Sequence, residues 1–323
     1  MNQNSTKNGG SLKSILMRTE VSMVLIIAVI FLTATFGTAN FLTAYNLTNL
    51  LKQCAIIGVI SLAETCIIIT AGIDISCGAI VGMATLMVAM AQAKWGMNVI
   101  TSLIIAIIVA VICGIFNAVL IYEFNVPAFV ATLGTQTILR GMIKVISNGG
   151  TVAGIDKGFA SFASTNFVVI PKLAVVWLVI ALFLFILLKY TVFGRNLFIM
   201  GSGTEVARLN GISIRATTYK AYAFAGLLYG IAGILLCARI NSAIPTAGEG
   251  YETNAIAASV LGGASLAGGA GSIPGTVLGT ILIILIDNVG TQFGIGSFVM
   301  QVVTGFVIVI AIVIDQLKKR STR

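Results

Sequence analysis

The stretch CAIIGVISLAETCIIITAGIDISCGAIVG (54–82) decides the fold, because two apolar runs meet there at a short polar turn. Glu64 lies within the first run, and Asp74 lies in the turn between the two. Carboxylates inside apolar segments of a membrane protein are costly, and they usually face a cavity or a partner group. We expect Asp74 to hydrogen-bond backbone groups at a broken helix, with a proton-relay role as the open alternative.

The composition identifies a polytopic membrane protein. Hydrophobic residues make up 58% of 323 residues, 9% are charged, and the mean hydropathy is +1.06. Soluble domains are about half apolar and a quarter charged. The net charge of +9 is explained by basic loops that set orientation, so no nucleic-acid partner is expected.

The side chains needed for metal or hydrolytic chemistry are scarce. The chain has no histidine, which removes Ser-His-Asp, Cys-His and HExxH chemistry. Its five cysteines lie in or beside apolar runs without a CxxC pair, so we interpret them as buried apolar residues. A catalytic function would therefore have to rest on carboxylates or lysines alone. We predict no metal site and no cofactor, and we expect a transport subunit without enzymatic activity, since the chain has no ATP-binding motif.

About ten transmembrane helices are predicted, in a single membrane domain at 21–316 between tails at 1–20 and 317–323. Two Gly-dense runs, 254–267 and 274–289, are expected to be broken or re-entrant. The fold class is thus an all-α polytopic membrane protein with some short or broken spans. The ten apolar runs are 21–36, 54–70, 76–92, 99–122, 128–146, 173–190, 219–239, 254–267, 274–289 and 297–315.

The distribution of lysine and arginine predicts that both termini and the loop 191–218 are cytoplasmic. With ten spans, this orientation places twelve basic residues inside and seven outside. The inner set is Lys7, Lys13, Arg18, Lys189, Arg195, Arg208, Arg215, Lys220, Lys318, Lys319, Arg320 and Arg323, and the outer set is Lys52, Lys94, Arg140, Lys144, Lys157, Lys172 and Arg239.

Three G-x-x-x-G motifs predict close approaches between helix backbones. They are GAIVG (78–82), GLLYG (226–230) and GTVLG (275–279). The first and third each follow an apolar run and a polar, Gly-containing turn. Such motifs are common in membrane helices, so they indicate tight packing and carry no information about a substrate.

The stretch GSGTEVARLNGI (201–212) predicts a short helix that stands in water. Thr204 is a candidate N-cap, Glu205 suits the positive end of a helix, and Asn210-Gly211 is a natural stop. Val206 and Leu209 lie three residues apart and form an apolar face. This face either packs on the protein's own bundle or docks into a groove on a cytoplasmic partner.

Four blocks of sequence resemble one known family. They are TAGIDISCGAIVG (70–82), PAFVATLGT (127–135), YTVFGRNLFIMGSGTEVARLNGI (190–212) and PTAGEGYETNAIAASVLGGASLAGGAGSIPGTVLG (245–279). In this order they look like the membrane permease subunits of bacterial ATP-binding-cassette (ABC) sugar importers of the ribose type. The resemblance covers nearly the whole chain.

The resemblance implies an inner-membrane homodimer in the lipid bilayer that receives a sugar, such as ribose, from an extracytoplasmic binding protein. A cytoplasmic ATPase with two nucleotide-binding cassettes would drive it, since this chain has no P-loop. It also implies that a short permease helix sits in a cleft of the ATPase. Val206 departs from the alanine frequent in related segments. The matching residues are Thr204, Glu205, Val206, Ala207, Arg208, Leu209 and Gly211.

Two further sets of residues are candidates for sugar passage and for docking. A path for sugar needs a weakly polar lining. Charged residues on the outer face could pair with charges of the binding protein. The path candidates are Asp74, Ser76, Asn117, Thr132, Asn288 and Gln292, and the docking candidates are Lys157, Lys172, Arg239, Glu249 and Glu252.

Two other classes of protein remain as alternatives. A secondary sugar transporter or channel would work alone and would need no nucleotide-dependent partner. An intramembrane aspartyl protease would need two facing carboxylates at similar depth, and Asp74 with Asp287 is the only pair worth naming.

Overall fold

The computed structural model describes residues 19–321, apart from the side chains of residues 19, 297, 308, 311–312 and 314–321. Lys7, Lys13, Arg18 and Arg323 therefore lie outside the described residues, as do most of the predicted tail 1–20 and the side chains of Lys318, Lys319 and Arg320. The orientation signal carried by those basic residues stays a prediction.

The chain forms a helical bundle, and each of the ten apolar runs lies in or overlaps one helix. The helices are α1 (Thr19–Gly37), α2 (Ala44–Ile69), α3 (Cys77–Ala93), α4 (Val99–Tyr122), α5 (Ala128–Ile146), α6 (Lys157–Ser164), α7 (Lys172–Tyr190), α8 (Val192–Ser202), α9 (Thr204–Leu209), α10 (Ile214–Ile240), α11 (Tyr251–Leu261), α12 (Ile273–Gln292) and α13 (Ser297–Ser321). Within residues 19–321, six of them are long and apolar enough to cross a membrane, namely α1, α2, α4, α7, α10 and α12.

Two short antiparallel ribbons lie in the long connections. The strand β1 (Val152–Ala153) pairs with β4 (Ser242–Ala243), and β2 (Asn166–Phe167) pairs with β3 (Ile170–Pro171). The β1–β4 ribbon ties the loop after α5 to the end of α10, so both belong to one end of the bundle.

The helix α2 is the centre of the bundle. Its span is almost entirely buried, and it packs against α7, α10, α11 and α12. The helix α10 in turn packs against α3 and α4. By contrast, α5 carries Gln136, Arg140 and Lys144, which is why it falls outside the six apolar spans.

The two Gly-dense runs differ from each other. As expected, the first is interrupted, since α11 ends at Leu261 and an irregular segment at 262–272 follows. The second run lies within the continuous helix α12, so the prediction that it is broken was wrong. Its glycines serve close packing instead.

All three G-x-x-x-G motifs lie at close backbone approaches, as predicted, although the first motif packs against a turn and not a second helix. A methyl group on Gly279 would overlap the carbonyl oxygen of Ala258 in α11, and one on Gly275 would overlap that of Gly262. Gly82 approaches the carbonyl oxygen of Ala247 in the turn that precedes α11. The first and third motifs therefore pack against the same segment, 247–262, while Gly226 packs against α4.

Replacing Gly279 by alanine should destabilise the protein, because the added methyl group forces α11 and α12 apart. Overpacking of this kind costs about 1–3 kcal/mol. Gly150→Ala is the control, since among the described residues a methyl group there would meet only the carbonyl oxygen of Ser147, at 3.6 Å. Unfolding of both variants in mixed detergent micelles measures the difference. Equal free energies of unfolding for the two variants would contradict the packing.

Candidate functional site

The N-cap of α9 lies one residue before the cap that the sequence predicts. Gly203 is the N-cap, with φ of 148°, and no side chain caps the helix, so Thr204 is the first helical residue. The predicted stop is confirmed. Gly211, at φ of +70°, donates its N–H to the Arg208 carbonyl, and Ile212 donates to that of Ala207, which together form a Schellman motif.

The apolar face of α9 is open. Leu209 is 81% exposed and Val206 is 45% exposed, whereas Ala207 is fully buried against the protein. Glu205 and Arg208 flank this face, and their charged groups lie 4.0 Å apart with most of each side chain in solvent. A pair of this kind contributes little to stability. The face is therefore available to a partner.

The segment before α9 reaches the centre of the bundle through a junction of three backbones. Gly201 in α8 packs directly against the carbonyl oxygen of Ile69, the last residue of α2. The same oxygen accepts the N–H of Gly269 at 2.9 Å. Gly268, at φ of +82°, lies against the Gly201 carbonyl and Ala71. The interruptions at 70–76 and 262–272 thus meet next to α9.

The interruption at 70–76 contains a buried polar network around Asp74, as we expect from the position of this carboxyl group in a turn between two apolar runs. Glu64 accepts the Asp74 N–H at 3.0 Å on one carboxyl oxygen and the Tyr229 hydroxyl at 3.0 Å on the other. Asp74 in turn accepts the Ser76 N–H at 2.9 Å and also its hydroxyl. Carboxyl groups here replace the backbone acceptors that a continuous helix would have supplied.

Four of the predicted path residues belong to this network. Asn117 donates to the Ser76 hydroxyl oxygen at 2.8 Å and accepts from Thr135 at 2.6 Å. Thr132 accepts the N–H of Ile75 at 3.2 Å. Asp74, Ser76 and Asn117 are joined by side-chain hydrogen bonds, and Thr132 is bound to the backbone of the same turn. All four residues have no accessible surface, so this conformation exposes none of them to a path.

The other two path candidates lie elsewhere. Asn288 and Asn46 exchange two side-chain hydrogen bonds, at 2.8 and 3.1 Å, and Gln292 donates to Asn46 at 2.8 Å. This cluster fastens the second half of α12 to the first turn of α2. Asn46 is a partner that sequence reasoning missed, because it lies 242 residues away from Asn288.

The three basic docking candidates do not all lie together. Lys157 and Arg239 line one cavity of about 670 Å³ together with Lys52, at the end of the bundle that carries β1 and β4. Lys172 does not line this cavity, and its ammonium group lies 5.8 Å from the centre of the Phe162 ring.

The two acidic docking candidates have different surroundings. Glu249 is exposed. Glu252 is turned inward, where one carboxyl oxygen accepts from Gln136 at 3.1 Å. The other oxygen is buried beside Gly78 and has no hydrogen-bond partner among the described residues. Glu252 therefore cannot present its carboxylate for docking in this conformation.

The carboxylates considered for a protease belong to different clusters. Asp74 is bound to Ser76 inside the network around Glu64. Asp287 accepts from Thr304 at 3.3 Å and lines a groove beside α13. Within the described part of the chain no hydrogen bond joins the two, so the structure gives no support to a catalytic pair.

The Glu64 network yields a test with a matched control on the same helix. Tyr229→Phe should lower the free energy of unfolding by about 1–3 kcal/mol, because a buried carboxyl oxygen loses its donor. Tyr222 is also buried, but its hydroxyl has no hydrogen-bond partner within the described part of the chain. Tyr222→Phe should therefore leave stability unchanged or slightly improved. If both variants lose the same amount, the hydrogen bond between Tyr229 and Glu64 is not what holds the network.

Comparisons with known proteins agree with the architecture. A family described as "Branched-chain amino acid transport system / permease component" matches residues 46–312. The chain is 38% identical to the ribose import permease protein RbsC of Bacillus subtilis (strain 168), over 86% of this chain and 87% of the relative.

Two other relatives cover similar lengths. The RbsC protein of Escherichia coli (strain K12) is 34% identical over 92% of this chain and 94% of its own length. The galactose/methyl galactoside import permease MglC of Salmonella typhimurium (strain LT2) is 32% identical over 88% of this chain and 90% of its own. No solved structure matches significantly.

The family match spans most of the bundle and includes α9, both helix interruptions and the Glu64 network. The chain therefore belongs to the family of transport-system permease components that includes the ribose import permeases.

Proposed function

We propose that this protein is the permease subunit of an ATP-driven importer that passes a monosaccharide, ribose or a similar simple sugar, across the bacterial cytoplasmic membrane by alternating access. The observation that carries the proposal is the open apolar face of Val206 and Leu209, on a helix outside the apolar spans. The relatives named as sugar import permeases support the choice of substrate. ATP is bound by a separate subunit.

In the proposed topology ten helices cross the membrane and both termini are cytoplasmic. The ends of α2, α4 and α7 then lie inside with α9, and the connections 147–171 and 241–250 lie outside. An ion pair supports placing the loop after α4 beside the start of α10, since Arg215 approaches Glu123 at 2.8 Å. In this topology the end of the bundle that carries α9 faces the ATPase, and the opposite end faces the sugar-binding protein.

The ATPase acts through α9 in this proposal. A movement of α9 shifts Gly203 and then Gly201, which is in contact with the last residue of α2 and with Gly268. Because the two helix interruptions meet there, a small displacement changes the positions of α3 and α12 relative to α2. The junction then acts as a hinge, since close-packed protein interiors have low compressibility and transmit strain.

The proposal includes a second copy of the chain, which would contact an exposed surface of α5. Gly134 and Gly141, seven residues apart, lie on an exposed side of α5, where nothing occupies the space a side chain would take. Small residues at membrane interfaces let helix backbones approach closely. This surface supports a homodimer in which α5 approaches its counterpart. A stand-alone secondary carrier would need neither α9 nor a second copy.

The central test replaces the apolar face of α9 by charges. Val206→Asp with Leu209→Asp should abolish capture of the partner ATPase by purified permease, because two unpaired charges would enter an apolar cleft. We expect affinity to fall more than about 100-fold. Co-purification and stimulated ATP hydrolysis are measured in the same samples.

Val192→Asp is the control for this test, since Val192 is 61% exposed in the same connection but outside α9. It should leave capture of the ATPase intact. Undiminished capture by the double variant would remove α9 from the interface and with it the support for an ATP-driven importer.

The opposite end generates a second test, on docking of the sugar-binding protein. Lys157→Glu combined with Lys52→Glu should weaken docking about tenfold and reduce its dependence on salt, because both cations line the outer cavity. Lys172→Glu is the control outside that cavity. Surface plasmon resonance against the sugar-loaded binding protein measures docking of the native protein, the double variant and the control. A larger effect of Lys172→Glu would move the docking surface away from the cavity.

A further inference from the structure

A polar groove of about 550 Å³ opens between α11, α12 and α13. Its lining includes Tyr251 and Asn254 from α11, Asp287 and Thr291 from α12, and Gln301 and Thr304 from α13. None of these six is among the predicted path residues. The groove lies near the same end of the bundle as the turn 247–250, from which Glu249 also contributes.

The polar residues of the groove share faces of their helices. Asp287 and Thr291 are four residues apart on α12, on a different side from Asn288 and Gln292, which are engaged with Asn46. On α13, Gln301, Thr304 and Gly305 are three and four residues apart and all line the groove. Polar groups that face lipid are costly, so the groove is expected to hold water or a polar ligand.

The groove has unused hydrogen-bonding capacity. The only hydrogen bond to the Asp287 carboxylate within the described contacts comes from Thr304, at 3.3 Å. Gln301 is exposed and makes no side-chain hydrogen bond among the described residues. An amide supplies two donors and an acceptor, and a carboxylate accepts through two oxygens.

The chemistry of the lining fits a neutral polyol. The hydroxyls of a monosaccharide can donate to Asp287 and exchange hydrogen bonds with Asn254 and Gln301, and the ring of Tyr251 offers an apolar surface to carbon-bound hydrogens. None of the lining residues is a cation, and Asp287 and Glu249 would repel a phosphate. The volume is within the range of about 300–1,000 Å³ that ligand pockets have.

We propose that this groove is a binding subsite for a neutral monosaccharide within the permease itself. The inference rests on the proposed importer function, which supplies the substrate class. It moves the sugar contact from the buried network around Asp74 to the exposed polar face shared by α12 and α13. The network then holds the helix interruption, and the groove receives the sugar.

The test uses the full-length permease in lipid nanodiscs without ATPase or binding protein. Equilibrium dialysis with radiolabelled D-ribose, D-xylose and D-galactose measures saturable binding directly. Asp287→Asn and Gln301→Leu should each weaken binding about tenfold, which is the loss of roughly one hydrogen bond. Asp156→Asn makes the same chemical change in a carboxylate outside the groove, at the start of α6, and should have no effect.

The outcomes separate this inference from the proposed function. Saturable binding that both groove variants weaken and the control preserves would support the subsite. No saturable binding of any of the three sugars, or binding that the variants leave unchanged, would overturn it. If the native protein still transports with its ATPase in that case, the subsite falls while the importer stands.

Discussion

Backbone amide and carbonyl groups inside a bilayer must find partners within the protein, and the rest of this structure depends on how the chain meets that constraint at its two helix interruptions. At 70–76, the carboxyl group of Glu64 accepts the Asp74 N–H, and the carboxyl group of Asp74 accepts the Ser76 N–H. At 262–272, Gly269 donates to the last carbonyl of α2. Carboxyl side chains at 70–76 and the last carbonyl group of α2 at 262–272 thus accept hydrogen bonds that a continuous helix would satisfy within itself.

Glycine makes these interruptions compatible with close packing. The motifs at 78–82 and 275–279 begin the helices that follow the two interruptions, and both lie against the segment 247–262. Gly201, in the segment before α9, packs directly against the carbonyl oxygen of Ile69 at the end of α2. The molecule therefore has a rigid centre around α2, and the parts expected to move converge on one junction beside the exposed helix α9.

Much of the fold could be predicted from the sequence, because apolar runs and glycine spacing act locally. The ten runs, the stop at Gly211 and the break after Thr70 depend on neighbouring residues alone. The continuity of α12 could not be foreseen, since glycines that permit a break also permit close packing. The N-cap was misplaced because Thr204 has the right side chain, while the positive φ of Gly203 sets the actual boundary.

The candidate site was less predictable, because its pairings are tertiary. The polar residues Asp74, Ser76, Asn117 and Thr132 were identified by type, but their burial in one network depends on the packing of α2, α4 and α5. Tyr229 reaches Glu64 across 165 residues. The groove lined by Gln301 and Thr304 of α13 could not be predicted, because two polar residues in an apolar run do not show which other residues they face.

The measurement that tests the account most directly is sugar uptake into proteoliposomes containing the purified permease, with the ATPase, the binding protein and ATP added or omitted one at a time. The account predicts accumulation of the sugar only when all are present, with no response to an imposed proton or sodium gradient. Accumulation by the permease alone under an ion gradient would contradict it and would make the protein a secondary carrier.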